Sequence, residues 1–310
     1  MSFNAKQIVK QINFEEIKKH PNILIAARFW SEERYNAAKV CYKFMRKIDD
    51  LIDDRKAESP IISECEKALY TNKIKEWVDC LGLVGMVDLE FAEIAQIVQQ
   101  FELPLGVFNT FAGSMFYDIN HNGFETYEQF VNYSEGASVS PAAVFVHLCC
   151  LDKTNKPYAI PGLNVVDAAR PCAMFSYIVH IIRDFQVDQI NNLNYFAHDV
   201  IGKYGLTPRD LRIAAATGII PDVFRNVVAF YMQQAENYRL QTEQTIEKLA
   251  PYLQPQYLLS LEIIYNLYKQ VYERIDVSRG TFTTQELNPA PKELEVMVNN
   301  VIDRVLVPSC

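Results

Sequence analysis

The chain has 310 residues, 49% of them hydrophobic, only 11 glycines and a formal charge of −8. That much apolar material buries a large core, and the scarcity of Gly suits long helices better than a tightly turned sheet. The negative balance, with no basic run longer than "EIKKH", argues against a nucleic-acid surface, which is bound mainly through clustered Lys and Arg.

The N-terminal "MSFNAKQIVKQINFEEIKK" lacks the continuous apolar core of a signal peptide. No run approaches the roughly eighteen apolar residues of a membrane span; the longest, "PAAVFVHLCCL", is shorter and contains His147. Helical periodicity then dominates residues 7–19, 33–53, 62–80, 87–101, 126–150, 167–188, 221–249 and 255–275. In the closing segment "PKELEVMVNNVIDRVLV", Leu294, Met297, Val298, Val301, Ile302 and Val305 form one continuous stripe on a helix. Pro, Gly and Asn interrupt the pattern at "HPN", "ESP", "LPLG", "KPYAIPG", "LTP", "IIPD", "APYLQP" and "LNPAP". No Ser- or Gly-rich linker or short repeat divides the chain. The expectation is one all-α domain over residues 1–310, a bundle whose inner helices are apolar nearly all round.

The seven cysteines, at 41, 65, 80, 149, 150, 172 and 310, form no CxxC pair and no zinc-ligand spacing. They read as small buried hydrophobes of a reducing, cytoplasmic compartment. Cys310 is terminal and so is not a prenylation box.

Chemistry concentrates in two helical segments. In "AAKVCYKFMRKIDDLIDD", Tyr42, Arg46, Asp49 and Asp53 follow helical steps and share one face, while Asp50 and Asp54 turn to the side. Alone, such a cluster reads as a solvated acidic helix end, because carboxylates buried without partners cost several kcal/mol each. A second cluster changes that weighing. "FSYIVHIIRDFQVD" sets Tyr177, His180, Asp184 and Asp188 at steps of three, four and four, with Arg183 just before the first aspartate and isoleucines around them. Carboxylates four apart on a helix are about 6 Å apart along its axis, within reach of shared hard divalent cations. Two such helices facing one another would make a magnesium cage, and diphosphate is its natural guest. "FNTFAGSMFYDIN" adds Phe108, Phe111, Phe116 and Tyr117 around Asp118. Aromatic faces stabilise a carbocation without attacking it, and a dry pocket keeps water from quenching it.

"FMRKIDDLIDD" and "IIRDFQVDQINNLNYF" together resemble the two aspartate-rich motifs of the squalene/phytoene synthase family. "GSMFYD", "YEQFVNYSEGASVSPAAVF" and "YKQVYERI" resemble its middle and late segments, so the likeness runs from about residue 22 to residue 280. It implies a bundle of the isoprenoid synthase type with a central apolar cavity. It implies several Mg2+ ions, held by Asp49 and Asp53 on one side and Asp184 and Asp188 on the other. Arg46 and Arg183 would hold diphosphate as fixed cations, with Arg279 as a further substrate-binding residue. Tyr42, Tyr133, Tyr177 and Tyr268 would line the reaction chamber, and Asp118 would close the cage. The implied reaction joins two farnesyl diphosphates head-to-head through presqualene diphosphate to squalene or a related C30 product.

The chain also departs from the pattern. Tyr177 and His180 stand where the family usually has Gln and Asn, leaving His180 as either a metal ligand or a hydrogen-bonding core residue. "ASVSPA" replaces "VAGxVG", and "NNLNYFAHD" replaces "GRIYLP". Geranylgeranyl diphosphate as substrate, giving phytoene, and a terpene cyclase on the same scaffold therefore stay open. NADPH is open too, since no Gly-rich dinucleotide fingerprint is present. Neither a nucleic acid nor a protein partner is expected, and peripheral membrane contact for product release is left open.

Overall fold

A computed structural model describes residues 4–15, 22–83, 91–152 and 158–306. In chain order the helices are α1 (Ala5–Val9), α2 (Asn22–Ala27), α3 (Glu32–Glu58), α4 (Glu64–Asp79), α5 (Ala92–Gln100), α6 (Leu105–Asn120) and α7 (Tyr127–Ser134). A π-helical turn, Glu135–Val139, leads into α8 (Ser140–Cys150), α9 (Val165–Arg183), α10 (Phe185–Ile190), α11 (His198–Lys203) and α12 (Pro208–Thr217). The chain ends with α13 (Asp222–Leu249), α14 (Pro255–Tyr272), α15 (Thr284–Leu287) and α16 (Pro291–Leu306). Among the described residues there is no strand, only an isolated bridge between Leu151 and Tyr158.

The chain folds this way because its apolar stripes have nowhere else to go. One buried cluster runs from Ala5 to Ile302 and so ties the first helix to the last. α9 is central, packed on α8, α13, α14 and the π turn. Ile178, Val179 and Ile182 are fully buried on it. It has the length and hydropathy of a membrane span, beyond what the apolar runs suggested, yet 61% of that window is covered by neighbouring helices, as a central bundle helix requires. α3 packs on α2, α4, α5, α6 and α8.

Four expected helices differ in detail. Of the described residues of the first, Ala5–Val9 are α-helical, and part of its expected range lies outside the described residues. The described part of the 87–101 segment becomes helical at Ala92. The 126–150 helix is interrupted by the π turn, where Gly136 lies so close to α6 that a Cβ there would overlap Ser114 Oγ and the Thr110 carbonyl. The 167–188 helix breaks at Asp184, whose φ of −97° and ψ of 7° leave the α region. The six described cysteines are all free thiols, and Cys310 lies outside the described residues.

Candidate active site

α3 begins at a Ser31 cap that accepts from the Arg34 N–H, with Glu32 and Glu33 in its first turn and Arg55 and Lys56 in its last. Ile48 and Ile52 are fully buried and so fix which way the helix turns its acidic flank. Arg46 bridges two of the aspartates, at 3.0 Å to Asp49 and 2.6 Å to Asp50. Asp54 is exposed. No hydrogen bond from a described residue reaches the Asp53 carboxylate. Burial, with the charges of Asp49 and Asp118, pushes Asp53 up to about 8. Burial also lifts Asp49 to about 6, against the pull of Arg46. Tyr42, half-buried, lies in the field of Arg46, Asp49 and Asp50, on the face expected of it.

On α9, Asn164 caps the first turn by accepting from the Val166 and Asp167 N–H groups. At the other end Arg183 grips Asp184 with two hydrogen bonds, Nε to Oδ1 at 2.8 Å and Nη2 to Oδ2 at 2.7 Å. His180 Nε2 reaches the same Oδ2 at 2.6 Å. Burial alone would raise Asp184, but the bonds from Arg183 and His180 outweigh it and hold the carboxyl well below the usual range. His180 is thus hydrogen-bonded to Asp184 here, and a metal at Asp184 would compete with this contact and with Arg183. Although the helix breaks here, the Asp188 N–H still donates to the Asp184 carbonyl at 2.9 Å, so the four-residue spacing survives. Asp188 has no side-chain partner among the described residues, and burial with the charge of Asp184 pushes it up to about 8.

Between the acidic groups stands a wall of rings. Tyr177 is stacked on Phe130 at 5.7 Å and meets Tyr133 at 6.4 Å and Tyr195 at 5.9 Å. Burial raises the pKa of Tyr177, and the charges of Asp118, Asp49 and Asp188 all add to it. Tyr195 is raised likewise by burial and then by Tyr177, Asp53, Asp118 and Asp188. Both acidic helices therefore act on one pair of phenols. These rings fill the apolar interior in this conformation, and the cavity beside Asp118 and Tyr195 holds about 10 Å³, room for about one water. A larger cavity of about 560 Å³ lies apart, between α14 and α16, and contains none of the expected site residues.

The remaining expected residues divide. Tyr133 donates to Asp118, and its own carbonyl accepts from Ser114 Oγ at 2.6 Å. Tyr268 on α14 lies in the field of Arg183. Arg279 is exposed in the turn after α14, where its backbone N–H donates to Asp276, and no described hydrogen bond or ion pair links its side chain to the aspartates. Sequence reasoning missed Lys56, Asn192 and Tyr195. Lys56 Nζ is 3.0 Å from Asp118, and the Lys56 carbonyl accepts from Asn192 Nδ2 at 3.1 Å. The signal for Lys56 was its place three residues after Asp53 on the same helix face; Tyr195 carried none beyond the unusual "NNLNYF".

The donor set suits a hard divalent cation. Asp49, Asp53 and Asp188 offer carboxylate oxygens whose ionisation burial disfavours and which a cation would favour. Among the described residues no three acidic, His or Cys side chains converge to hold one ion by themselves. An ion here would complete its shell with water or phosphate oxygens, as Mg2+ commonly does.

The sequence matches the family model for squalene/phytoene synthase over residues 18–288. No curated protein matches it by sequence. Its fold is similar to that of a dehydrosqualene synthase crystallised with ligand, at TM-score 0.67 and 14% identity, covering 97% of this chain and 98% of that one. It is also similar to the squalene synthase HpnC of Alicyclobacillus acidocaldarius, at TM-score 0.57 and 13% identity over 98% and 94% of the two chains. YisP of Bacillus subtilis aligns at TM-score 0.61 and 12% identity over 95% and 96%. With nearly nine-tenths of its length matched by that model and its all-α fold shared, the chain belongs to the squalene/phytoene synthase family, a family of prenyl-group transferases.

Proposed function

We propose that the chain is a magnesium-dependent enzyme that joins two farnesyl diphosphates head-to-head, through presqualene diphosphate, to squalene or a related C30 product. The observation that carries this reading is that the Lys56 carbonyl at the end of α3 accepts from Asn192 just after α10 at 3.1 Å, which brings the two acidic segments together beside the Tyr133, Tyr177 and Tyr195 rings. Asp49, Asp53 and Asp188 would hold Mg2+, which when bound supplies positive charge to the departing diphosphate. Asp184 is the ligand less ready for that role, since Arg183 and His180 already hold it.

The chain's own groups do the rest. Arg46, half-exposed beside Asp49, is free to swing onto a diphosphate oxygen. Tyr133, Tyr177 and Tyr195 would offer the carbon that loses diphosphate their π-electrons and hydroxyls that burial keeps protonated, which makes them poor nucleophiles. Buried Phe124 and Phe130 behind them exclude water. On this reading the enzyme works in the cytoplasm and its apolar product leaves to a membrane.

The close packing of these rings favours, as a second reading, a terpene cyclase that ionises one prenyl diphosphate and folds it on itself. Incubation with Mg2+ and farnesyl or geranylgeranyl diphosphate, with and without NADPH, followed by mass analysis, separates the two. Two substrate equivalents per product, at C30 with farnesyl diphosphate, support the synthase. One equivalent supports the cyclase, a C40 product from geranylgeranyl diphosphate alone moves the assignment to phytoene synthesis, and no diphosphate release overturns all three.

A further inference from the structure

Lys56 is a buried ammonium beside carboxylates that a metal site would be expected to leave to metal ions. Its side chain is 3% exposed, and that of its partner Asp118 is 13% exposed. Removing an ammonium from water costs several kcal/mol unless partners replace the lost hydration. Here they do: Nζ donates to Asp118 Oδ1 at 3.0 Å and to the His121 carbonyl at 3.0 Å. The third N–H is left for the small cavity that Lys56 lines with Asp118, Asn192, Asn194 and Tyr195. The residue is also tied through its backbone, since Asn192 from the segment after α10 donates to the Lys56 carbonyl. Asp118 has its second oxygen occupied by the Tyr133 hydroxyl. Each of its oxygens therefore already accepts a hydrogen bond within the protein.

Helical spacing puts Lys56 on the face of Asp49 and Asp53, seven and three residues on. Of the acids around the ring wall, Asp118 has a buried lysine, Asp184 has Arg183 and His180, and Asp53 and Asp188 have no side-chain partner among the described residues. The first two are balanced by the chain itself.

We propose that Lys56 is a positioning residue, a resident cation that occupies Asp118, keeps it out of divalent-ion binding and fixes the Tyr133 hydroxyl toward it. The divalent ions are thereby kept off Asp118 and left to the aspartates of the two acidic segments. This rests on the metal-and-diphosphate reading above and adds to it which carboxylate the ions do not use. Removing the ammonium creates a new carboxylate site for Mg2+ at Asp118.

The test is thermal unfolding and calorimetric titration with MgCl2, alone and with inorganic pyrophosphate, on the full chain. Lys56→Met should melt lower than wild type without metal, show roughly twice the Mg2+-induced rise in Tm, and bind one more Mg2+ per chain. Lys56→Met/Asp118→Asn should return the Mg2+-induced rise to the wild-type size, because the added carboxylate site is gone. Should Lys56→Met fail to fold, Lys56→Gln, which keeps a donor but no charge, must show the same larger rise. An unchanged Mg2+ increment and stoichiometry in the single variants would overturn the proposal and leave Lys56 a structural residue. A rise in the Lys56 variants with none in wild type would uphold the occupation of Asp118 and overturn the metal reading of the native site. No rise in either would overturn both.

Discussion

Asp53 and Asp188 stand 135 residues apart in the chain, yet both of their charges fall on the Tyr195 phenol. Neither carboxylate has a side-chain partner among the described residues, and both are raised to about 8 by burial and by neighbouring acids. Two helices that each place a carboxyl whose ionisation is disfavoured next to one ring pair form a site that a cation would stabilise.

Neutralising such a charge should therefore stabilise the metal-free protein while removing function. Asp53→Asn is expected to raise Tm without metal and to lower Mg2+-dependent diphosphate release at least tenfold, about 1.4 kcal/mol of barrier. Asp184→Asn should do the opposite to stability, since it strands Arg183 and His180. Melting curves and a pyrophosphate-release assay check both, and equal Tm changes in the two variants would contradict the asymmetry.

The pH dependence has a definite sign. A carboxyl in the unfolded chain titrates near pH ~4, whereas Asp49 titrates at about 6 and Asp53 and Asp188 at about 8 in the fold. Between these values the folded chain holds protons that the unfolded chain has lost, so these groups make stability fall as pH rises from about 4 to 8. Asp184, depressed, contributes stability at neutral pH that is lost in acid below that window. Metal-free Tm should decline from pH 5 to 8. Mg2+ with pyrophosphate should flatten the decline, because cations then replace the protons, and Mg2+ affinity should rise over the same range.

Arg46 is half-exposed, at 49% of its side chain, and its ion pairs with Asp49 and Asp50 are worth little to folding in water. Arg46→Ala should leave Tm nearly unchanged. It should weaken binding of Mg2+-pyrophosphate about tenfold, ~1.4 kcal/mol, through loss of charge-assisted bonds to the anion. Calorimetry reads this, and a large loss of stability with unchanged binding would make Arg46 structural.

Gly136 allows the π turn to lie against α6, where Ser114 holds the Tyr133 carbonyl. Gly136→Ala should cost ~1–3 kcal/mol through overpacking and displace Tyr133. Chemical denaturation measures the first. A tenfold or greater loss of diphosphate release in the folded variant reports the second.

The order of helices was legible where period and punctuation agree: α13 and α14 lie between Pro-marked breaks, and α16 shows its stripe openly. The paired acidic segments were equally plain, because carboxylates repeated at one spacing inside apolar helices are costly unless a cation meets them. The break at Asp184 was not legible, since the isoleucine pattern of α9 gives no sign of a backbone that leaves the α region. The π turn was hidden for a similar reason, as "EGASV" gives no local sign of the close approach of Gly136 to α6. Lys56 escaped because its partner Asp118 is 62 residues away, and only tertiary packing brings an ammonium and a carboxylate out of water together. Similarly, Arg183 reads as a free cation in sequence, but in the fold two of its N–H donors close on the next residue.

The convergence of Asp53 and Asp188 on a single site is tested most directly by calorimetric binding of Mg2+ with inorganic pyrophosphate to wild type, Asp53→Asn, Asp188→Asn and the double variant. One shared site predicts that each single change weakens binding at least tenfold and that the double change adds little further. Strictly additive losses, or full-strength binding in either single variant, would contradict it.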